Sequence, residues 1–157
     1  MSRPSDTPGD SGKRQNPSQR ARRRRVAAAK LARSKRVLVC ECDPAAARPA
    51  GDEVRDMGYE VVALHSLADS LREATVNTFD VIVASVPTLT DEKLSLLQLL
   101  RRATSRVPLV LVTSDNTLAM RSRCQPVSPF YYAVRPLAGD ELRDALRGAL
   151  ERRAPRP

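Results

Sequence analysis

The sequence predicts a doubly wound α/β domain, in which helices cover both faces of a five-stranded parallel sheet. Five short apolar runs recur at regular intervals, at residues 37–40, 59–64, 81–84, 109–112 and 130–134. The segments between these runs carry apolar residues at helical spacing. Strands that are apolar on both faces are typical of parallel sheets, because helices bury each side. In such a fold, functional side chains lie at the carboxyl ends of the strands.

The first two helical segments carry opposite signals at their starts. Pro49 and Gly51 fall inside the first, so we expect that helix to kink or to start late. Ser66 precedes the second and forms a weak capping box with Asp69.

The third helical segment leaves two alternatives for its buried face. Either Leu94, Leu97 and Leu100 face the core, or Leu96 and Leu99 do. Acidic residues in its first turn complement the helix dipole under either alternative.

The last two helical segments differ in length. The fourth, residues 117–125, is closed by Pro126 and Pro129, so we expect a helix that is barely formed. In the fifth, Leu142 and Leu146 belong to a regular apolar stripe.

The third apolar run ends on a hydroxyl. Residues 81–84 are β-branched or small, a turn-like pair precedes the run, and Pro87 follows it. Ser85 therefore lies at the carboxyl end of a buried strand. Its simplest role is that of a small polar residue at a strand end.

The chain is long enough for one domain, and its charge is unevenly distributed. Of its 157 residues, the first 36 hold twelve Lys or Arg and two Asp, a net charge of +10, and the other 121 carry a net charge of −1. We therefore divide the chain into a disordered basic arm at residues 1–34, a domain at 35–153 and a disordered tail at 154–157.

The basic arm is predicted to bind polyanions. Seven of the fourteen residues from 20 to 33 are cationic: Arg20, Arg22, Arg23, Arg24, Arg25, Lys30 and Arg33. Such density favours phosphate backbones through counterion release, and arginine forks bind phosphate bidentately. No aromatic residues are interleaved, so sequence-specific reading is not implied. A solvated tail, an acidic protein or an anionic membrane surface remain alternative explanations.

The three cysteines point to a reducing cytoplasm. An odd count argues against a secreted disulfide scaffold, and neither a secretory signal nor a membrane-spanning segment is evident. Cys40 and Cys42 are candidate ligands of a soft-metal site, with His65 or Cys124 as further ligands. Structural zinc needs four convergent ligands, so buried cysteine acting as a small hydrophobe is the favoured interpretation.

Several strand ends resemble those of the receiver domains of bacterial response regulators. Residues 37–44 form an aliphatic strand followed by an acidic position and proline, and residues 107–114 end in Thr-Ser. Residues 132–137 read as an aromatic, two apolar residues, a cation, proline and leucine. The resemblance covers residues 35–153 and implies flavodoxin-like topology, with strand order 2-1-3-4-5.

The same resemblance implies a degenerate phosphorylation pocket. Receivers place an aspartate nucleophile at the end of the third strand and use two further carboxylates to hold Mg²⁺. Here Ser85 stands at the nucleophile position, Cys42 replaces one acid and Glu41 keeps the other. Thr113 and Arg135 match the family's hydroxyl and basic positions. Pro87 arrives two residues early, which shortens the loop after the third strand.

This pocket is expected to lack phosphotransfer chemistry. One carboxylate beside a fixed cation binds Mg²⁺ poorly, and a serine hydroxyl without a base is a weak nucleophile. We therefore expect no catalytic residue, no metal and no cofactor. Glu41 and Arg135 are expected to form an ion pair, so that Arg135→Ala would destabilise the protein by a few kcal/mol.

The resemblance also implies a partner surface, formed by helix four, strand five and helix five. We assign to it Tyr131, Tyr132, Arg121 and Arg143, and expect another signalling protein there. Ordinary strand packing explains one of the tyrosines equally well. A homodimer is a further alternative.

These observations favour a non-enzymatic, receiver-like interaction module that works independently of aspartyl phosphorylation. The alternative is a non-sequence-specific nucleic-acid-binding protein, in which the arm binds and the domain dimerises or docks. A residual phosphotransfer enzyme is the third hypothesis, and it requires that the protein can be labelled with phosphate.

Overall fold

The computed structural model describes residues 17–23 and 34–153, and the statements below concern these residues. Five parallel strands form one sheet in the order β2-β1-β3-β4-β5. The strands are β1 (Arg36–Glu41), β2 (Glu60–Leu64), β3 (Val81–Ser85), β4 (Leu109–Thr113) and β5 (Tyr131–Val134). The helices are α1 (Ala50–Asp56), α2 (Leu67–Val76), α3 (Asp91–Ala103), α4 (Leu118–Arg123) and α5 (Glu141–Arg153). This topology confirms the predicted fold class.

Alternation along the central strands builds two separate cores. Successive side chains of a strand point to opposite faces of the sheet. Leu38 and Ile82 pack on one face, beneath α2, α3 and α4. Val39 and Val83 pack on the other face, beneath α1 and α5. The sheet is thus buried on both sides, as its uniformly apolar strands predict.

Helix α1 starts late, which is one of the two outcomes predicted from its proline and glycine. Pro49 is the N-cap, and because its side chain makes no capping hydrogen bond, the first turn depends on another acceptor. The predicted cap of α2 is confirmed, because the Ser66 hydroxyl accepts from the Asp69 amide at 3.0 Å. The same hydroxyl donates to the Asp69 carboxylate at 2.8 Å.

Helix α3 buries the first of its two alternative faces. Leu94, Leu97 and Leu100 are buried, whereas Leu99 is 46% exposed. Helix α4 has only six residues, as the two following prolines predict. A single 3₁₀ turn, Gln125–Val127, leads from it towards β5.

The chain divides between Ser34 and Lys35 into two units, which are described separately. In the first unit, residues 17–23 are helical and all exposed. The predicted arm residues Arg24, Arg25, Lys30 and Arg33 lie outside the described residues, as does the tail at 154–157. Within the described ranges, no helix has the length and apolarity needed to cross a membrane.

Candidate functional site

Parallel register brings the predicted pocket residues to one edge of the sheet. Glu41 pairs with Ser85 between β1 and β3, and Thr113 ends β4 beside the last residue of β5. These three side chains are buried. Arg135 follows β5 and is half-buried, and its amide donates to the Thr113 carbonyl at 2.8 Å. Cys42 follows β1, and its amide donates to the Ser85 carbonyl at 2.9 Å.

The Ser85 hydroxyl contacts a cation rather than a base. Arg135 Nη2 donates to Ser85 Oγ at 3.2 Å, and Ser85 is completely buried. A guanidinium cannot accept the hydroxyl proton, because it is always protonated in proteins. This arrangement holds the strand end and leaves the oxygen without the activation that a nucleophile needs.

The Glu41 carboxylate caps a helix instead of pairing with Arg135. Glu41 Oε2 accepts from the Ala50 amide at 2.7 Å, at the first residue of α1. An anion at this position is favourable, because the helix N-terminus carries partial positive charge and Pro49 offers no side-chain cap. Glu41 Oε1 is buried and has no hydrogen-bond partner among the described residues.

The predicted ion pair between Glu41 and Arg135 is therefore wrong. Among the described residues, no ion pair joins these two side chains. The backbone amide at the start of α1 takes the carboxylate, and Ser85 takes the guanidinium. Arg135→Ala therefore leaves the contact of the Glu41 carboxylate in place, and the destabilisation expected from a stranded carboxylate does not follow.

Thr113 ties down the shortened loop after β3. Its hydroxyl donates to the Pro87 carbonyl at 3.2 Å and accepts from the Asp115 amide at 3.3 Å. The same Pro87 carbonyl accepts from the Ser114 amide at 3.1 Å. The early proline thus places its carbonyl where the β4 hydroxyl can reach it.

The side chains at this edge do not fit Mg²⁺, the ion that the fold family implies. Mg²⁺ requires hard oxygen ligands and negative charge. Here Glu41 offers one carboxylate that already accepts from a backbone amide, Cys42 offers a thiol, and Arg135 adds positive charge. In residues 17–23 and 34–153, no three His, Cys, Asp or Glu residues are grouped so as to hold a metal ion. The lack of such a group in the described residues also argues against a soft-metal site formed by Cys40 and Cys42 with His65 or Cys124.

Cys40 and Cys42 form a close thiol pair. Their Sγ atoms are 3.4 Å apart, with Cys40 on β1 and Cys42 directly after the end of that strand. The hydrogen bond from Cys40 lowers the pKa of Cys42 to about 7, helped by the positive charge of Lys93 and opposed by burial. The same hydrogen bond and burial raise the pKa of Cys40. The spacing of the two cysteines in the sequence does not by itself predict an acidic thiol.

The thiol pair predicts a pH-dependent reactivity. Since the thiolate is the nucleophile, alkylation of Cys42 by iodoacetamide should rise as pH increases through about 7. Replacing the donor by Cys40→Ala should move the midpoint upward, towards the ordinary value of 9.0. Mass spectrometry of peptides alkylated across a pH series measures both midpoints. Cys124 is the internal control, because burial raises its pKa. An unchanged Cys42 midpoint in Cys40→Ala would contradict the assignment.

The two predicted partner-surface tyrosines have different environments. Tyr131 is 39% exposed on the edge strand, and its hydroxyl donates to Glu141 Oε1 at 3.1 Å. Tyr132 packs inward, and its hydroxyl donates to the Asp115 carbonyl at 2.5 Å. The Arg121 guanidinium lies 4.5 Å from the centre of the Tyr132 ring. Tyr131 is thus the exposed one of the two.

Arg143 is not brought to this surface. It lines a small cavity with Arg48 and Glu53, on the side of α5 that faces α1. Glu141, two residues earlier on the helix, points towards Tyr131. Positions two apart on a helix do not share a face, so Arg143 lies away from the tyrosines.

Neither models of protein families nor curated protein sequences give a match to the chain. Solved structures do match. A CheY-like receiver domain from Methanospirillum hungatei is 19% identical, with 77% of this chain and 97% of that chain covered and a TM-score of 0.65. Vibrio cholerae CheY4 is 19% identical, with coverages of 75% and 100% and a TM-score of 0.63. The signal receiver domain of a modulated diguanylate cyclase from Desulfovibrio desulfuricans is 20% identical, with coverages of 77% and 97% and a TM-score of 0.63.

The solved structures are similar to this chain over its five-stranded parallel sheet and the helices that cover both faces of that sheet. The chain therefore has the fold of a response-regulator receiver domain, in which the third strand ends on Ser85.

Proposed function

We propose that this protein is a receiver-like signalling module that acts through protein contacts, is not an enzyme, and does not depend on aspartyl phosphorylation. The proposal depends on two observations: the residue at the end of β3 is a serine, and its side chain contacts Arg135. A hydroxyl stands at the end of β3, completely buried, and accepts a hydrogen bond from Arg135.

The charges at the strand ends support this proposal. Phosphoryl transfer to an acceptor depends on metal ions that neutralise the developing charge. Glu41 is the one carboxylate among the predicted pocket residues, and it caps α1. The Arg135 guanidinium supplies a fixed positive charge at the strand ends, where Mg²⁺ would otherwise balance the carboxylate. The pocket is then a structural junction between strand ends.

The proposed partner surface consists of Tyr131 and Arg121, on β5 and α4. An exposed tyrosine offers a ring and a hydroxyl at a low cost in conformational entropy, and arginine is likewise enriched at binding hot spots. Tyr132 is fixed by its hydrogen bond to the Asp115 carbonyl, so we infer that this surface is permanently formed. The diguanylate cyclase from D. desulfuricans contains a receiver domain, which supports a role for this fold as one part of a signalling system. The odd number of cysteines supports a cytoplasmic location.

The test restores the carboxylates that the pocket lacks. In the full-length protein, Mg²⁺ with beryllofluoride is expected to leave the unfolding temperature unchanged and to give no bound ¹⁹F signal. The double variant Cys42→Asp, Ser85→Asp should unfold at a lower temperature without Mg²⁺, because carboxylates crowd the pocket. Mg²⁺ at 100 times its Kd should then stabilise that variant by about 2.7 kcal/mol, a shift of several degrees.

The matched control is Cys42→Asn, Ser85→Asn, which has nearly the same shape and no added charge. Mg²⁺ should not stabilise it. A wild-type protein that gains as much stability from Mg²⁺ as the aspartate variant, or that forms a beryllofluoride adduct, would overturn the proposal. If the double aspartate variant does not fold, Ser85→Asp restores one of the two carboxylates, and Ser85→Asn is its control.

The basic arm is proposed to bind a polyanion, as an accessory to the domain. Three of its predicted cations, Arg20, Arg22 and Arg23, lie on an exposed helical segment. The strong charge asymmetry of the chain supports this role, because the remainder of the protein is nearly neutral.

A further inference from the structure

A cavity lies at the end of the sheet opposite to Ser85, where β4 and β5 begin. Its volume is about 330 Å³. Four arginines border it: Arg101, Arg106, Arg152 and Arg153. The ring of Phe130 forms part of its wall, and none of the described residues that line it is a carboxylate. This is a dense concentration of positive charge on a domain that is nearly neutral overall.

Two of these arginines are anchored to the fold. Arg101 Nη1 donates to the Val107 carbonyl at 2.5 Å. Arg153 donates to the Phe79 carbonyl and lies 3.6 Å from Asp80 Oδ1. Each guanidinium carries five N–H donors, so both keep further donors after these contacts. Only one of the two has its charge balanced by a carboxylate.

The other two arginines have no carboxylate partner within the described part of the chain. Arg106 is exposed in the loop between α3 and β4. The Arg152 guanidinium lies 5.7 Å from the centre of the Phe130 ring. An aromatic face holds a guanidinium in place but does not neutralise its charge. Counted over the described residues, four cations and one nearby carboxylate, Asp80, therefore leave a net charge of about +3 here.

The negative ends of two helix dipoles offset only part of this positive charge. Helices α3 and α5 both end near the cavity, and the C-terminus of a helix favours cations because it carries roughly half a negative charge. Two such ends offset about one positive charge. Arg106 belongs to no helix, so the dipoles do not explain its position. An uncompensated charge of about +2 remains.

The loop that carries Phe130 has a defined conformation. Ser128 adopts a φ of +48°, in the left-handed region that non-glycine residues rarely use. Its amide donates to the Gln125 carbonyl at 2.9 Å, which closes the preceding 3₁₀ turn. A wall that is already ordered loses little entropy when a ligand binds.

We propose that this cavity binds a compact ligand with two linked phosphate groups, in the class of pyrophosphate and nucleoside diphosphates. Guanidinium forks match phosphate oxygens in pairs, and two adjacent phosphates supply the charge that the arginines lack. The volume is in the range of small-molecule sites. A nucleic-acid duplex is too wide to enter a recess of this size. The site is separate from the pocket at Ser85 and does not depend on the function proposed above.

The test is a titration of the full-length protein, followed by ¹H–¹⁵N NMR at the amides of Arg106 and Ser128. Shifts at these two amides report binding in the cavity, and they distinguish it from binding to the basic arm, which is also proposed to bind anions. The probes are pyrophosphate, adenosine diphosphate, adenosine and a short DNA duplex. Pyrophosphate and adenosine diphosphate should produce saturable shifts at both amides, and adenosine should produce none.

The variant Arg106→Gln, Arg152→Gln removes the two cavity arginines that donate no hydrogen bond to another described residue. It should weaken pyrophosphate binding by at least about tenfold. The control Arg72→Gln, Arg147→Gln removes the same charge from exposed positions outside the cavity and should change affinity by less than about twofold.

Three results would overturn the proposal: no shift with pyrophosphate, equal affinity in the cavity variant, or shifts with the duplex alone. The last result would assign the arginines to a nucleic-acid backbone instead.

Discussion

Leu97→Ala is expected to lower the free energy of unfolding by about 2–5 kcal/mol. Leu97 is completely buried in the core between α3 and the sheet. Its removal costs the transfer free energy of the lost methyl groups and leaves a cavity that close-packed neighbours cannot fill. Urea denaturation, followed by circular dichroism, measures the change. A loss of this size is a large fraction of the stability of a typical domain.

The matched control lies on the same helix. Leu99 is 46% exposed, so Leu99→Ala should cost less than about 1 kcal/mol. Both substitutions change helix propensity equally, and the comparison therefore isolates burial. If the two variants lost the same stability, or if Leu99→Ala lost more, α3 would present a different face to the core.

Deletion of residues 1–34 is expected to abolish binding to a DNA duplex at physiological salt. Seven cations lie between residues 20 and 33, whereas the 121 residues after residue 36 carry a net charge of −1. The logarithm of the binding constant falls by about 0.9 per phosphate contact for each tenfold rise in salt. Contacts from all seven cations would give a slope of about −6. Fluorescence anisotropy with a labelled duplex, at several salt concentrations, measures the slope.

A charge-preserving variant provides the control. Replacing the six arginines of this segment by lysine keeps the positive charge and removes the bidentate forks, so the salt slope should persist. The deleted chain should still show the circular dichroism of the folded domain. Undiminished duplex binding after the deletion would place the polyanion site in the domain rather than in the arm.

The candidate site was only partly predictable. The position of Ser85 at the end of β3 follows from the strand pattern. Its hydrogen bond from Arg135 was not predicted, because Arg135 was assigned to Glu41. The partner of Glu41 did not follow. Its carboxylate had two competing donors, a guanidinium and the first amide of α1, and the late start of that helix brought the amide within 2.7 Å.

The arginine cavity shows why a spatial cluster escapes sequence analysis. Arg101 and Arg106 lie close together in the sequence, and Arg152 and Arg153 are adjacent, but about half a domain separates the pairs. Arg101, Arg152 and Arg153 are typical of the last turn of a helix, and Arg106 is a single cation in a loop. Only the packing of α3 and α5 against neighbouring strands brings the two pairs to one recess.

The sequence by itself determined the class of fold, because hydrophobic periodicity reports local geometry and the apolar runs require cover on both faces. It also determined which residues end the strands. The tertiary structure decided which leucines of α3 face the core, which group binds Glu41, and that Arg143 faces α1. Those outcomes depend on distances between segments far apart in the chain, and a pattern of neighbouring residues does not encode such distances.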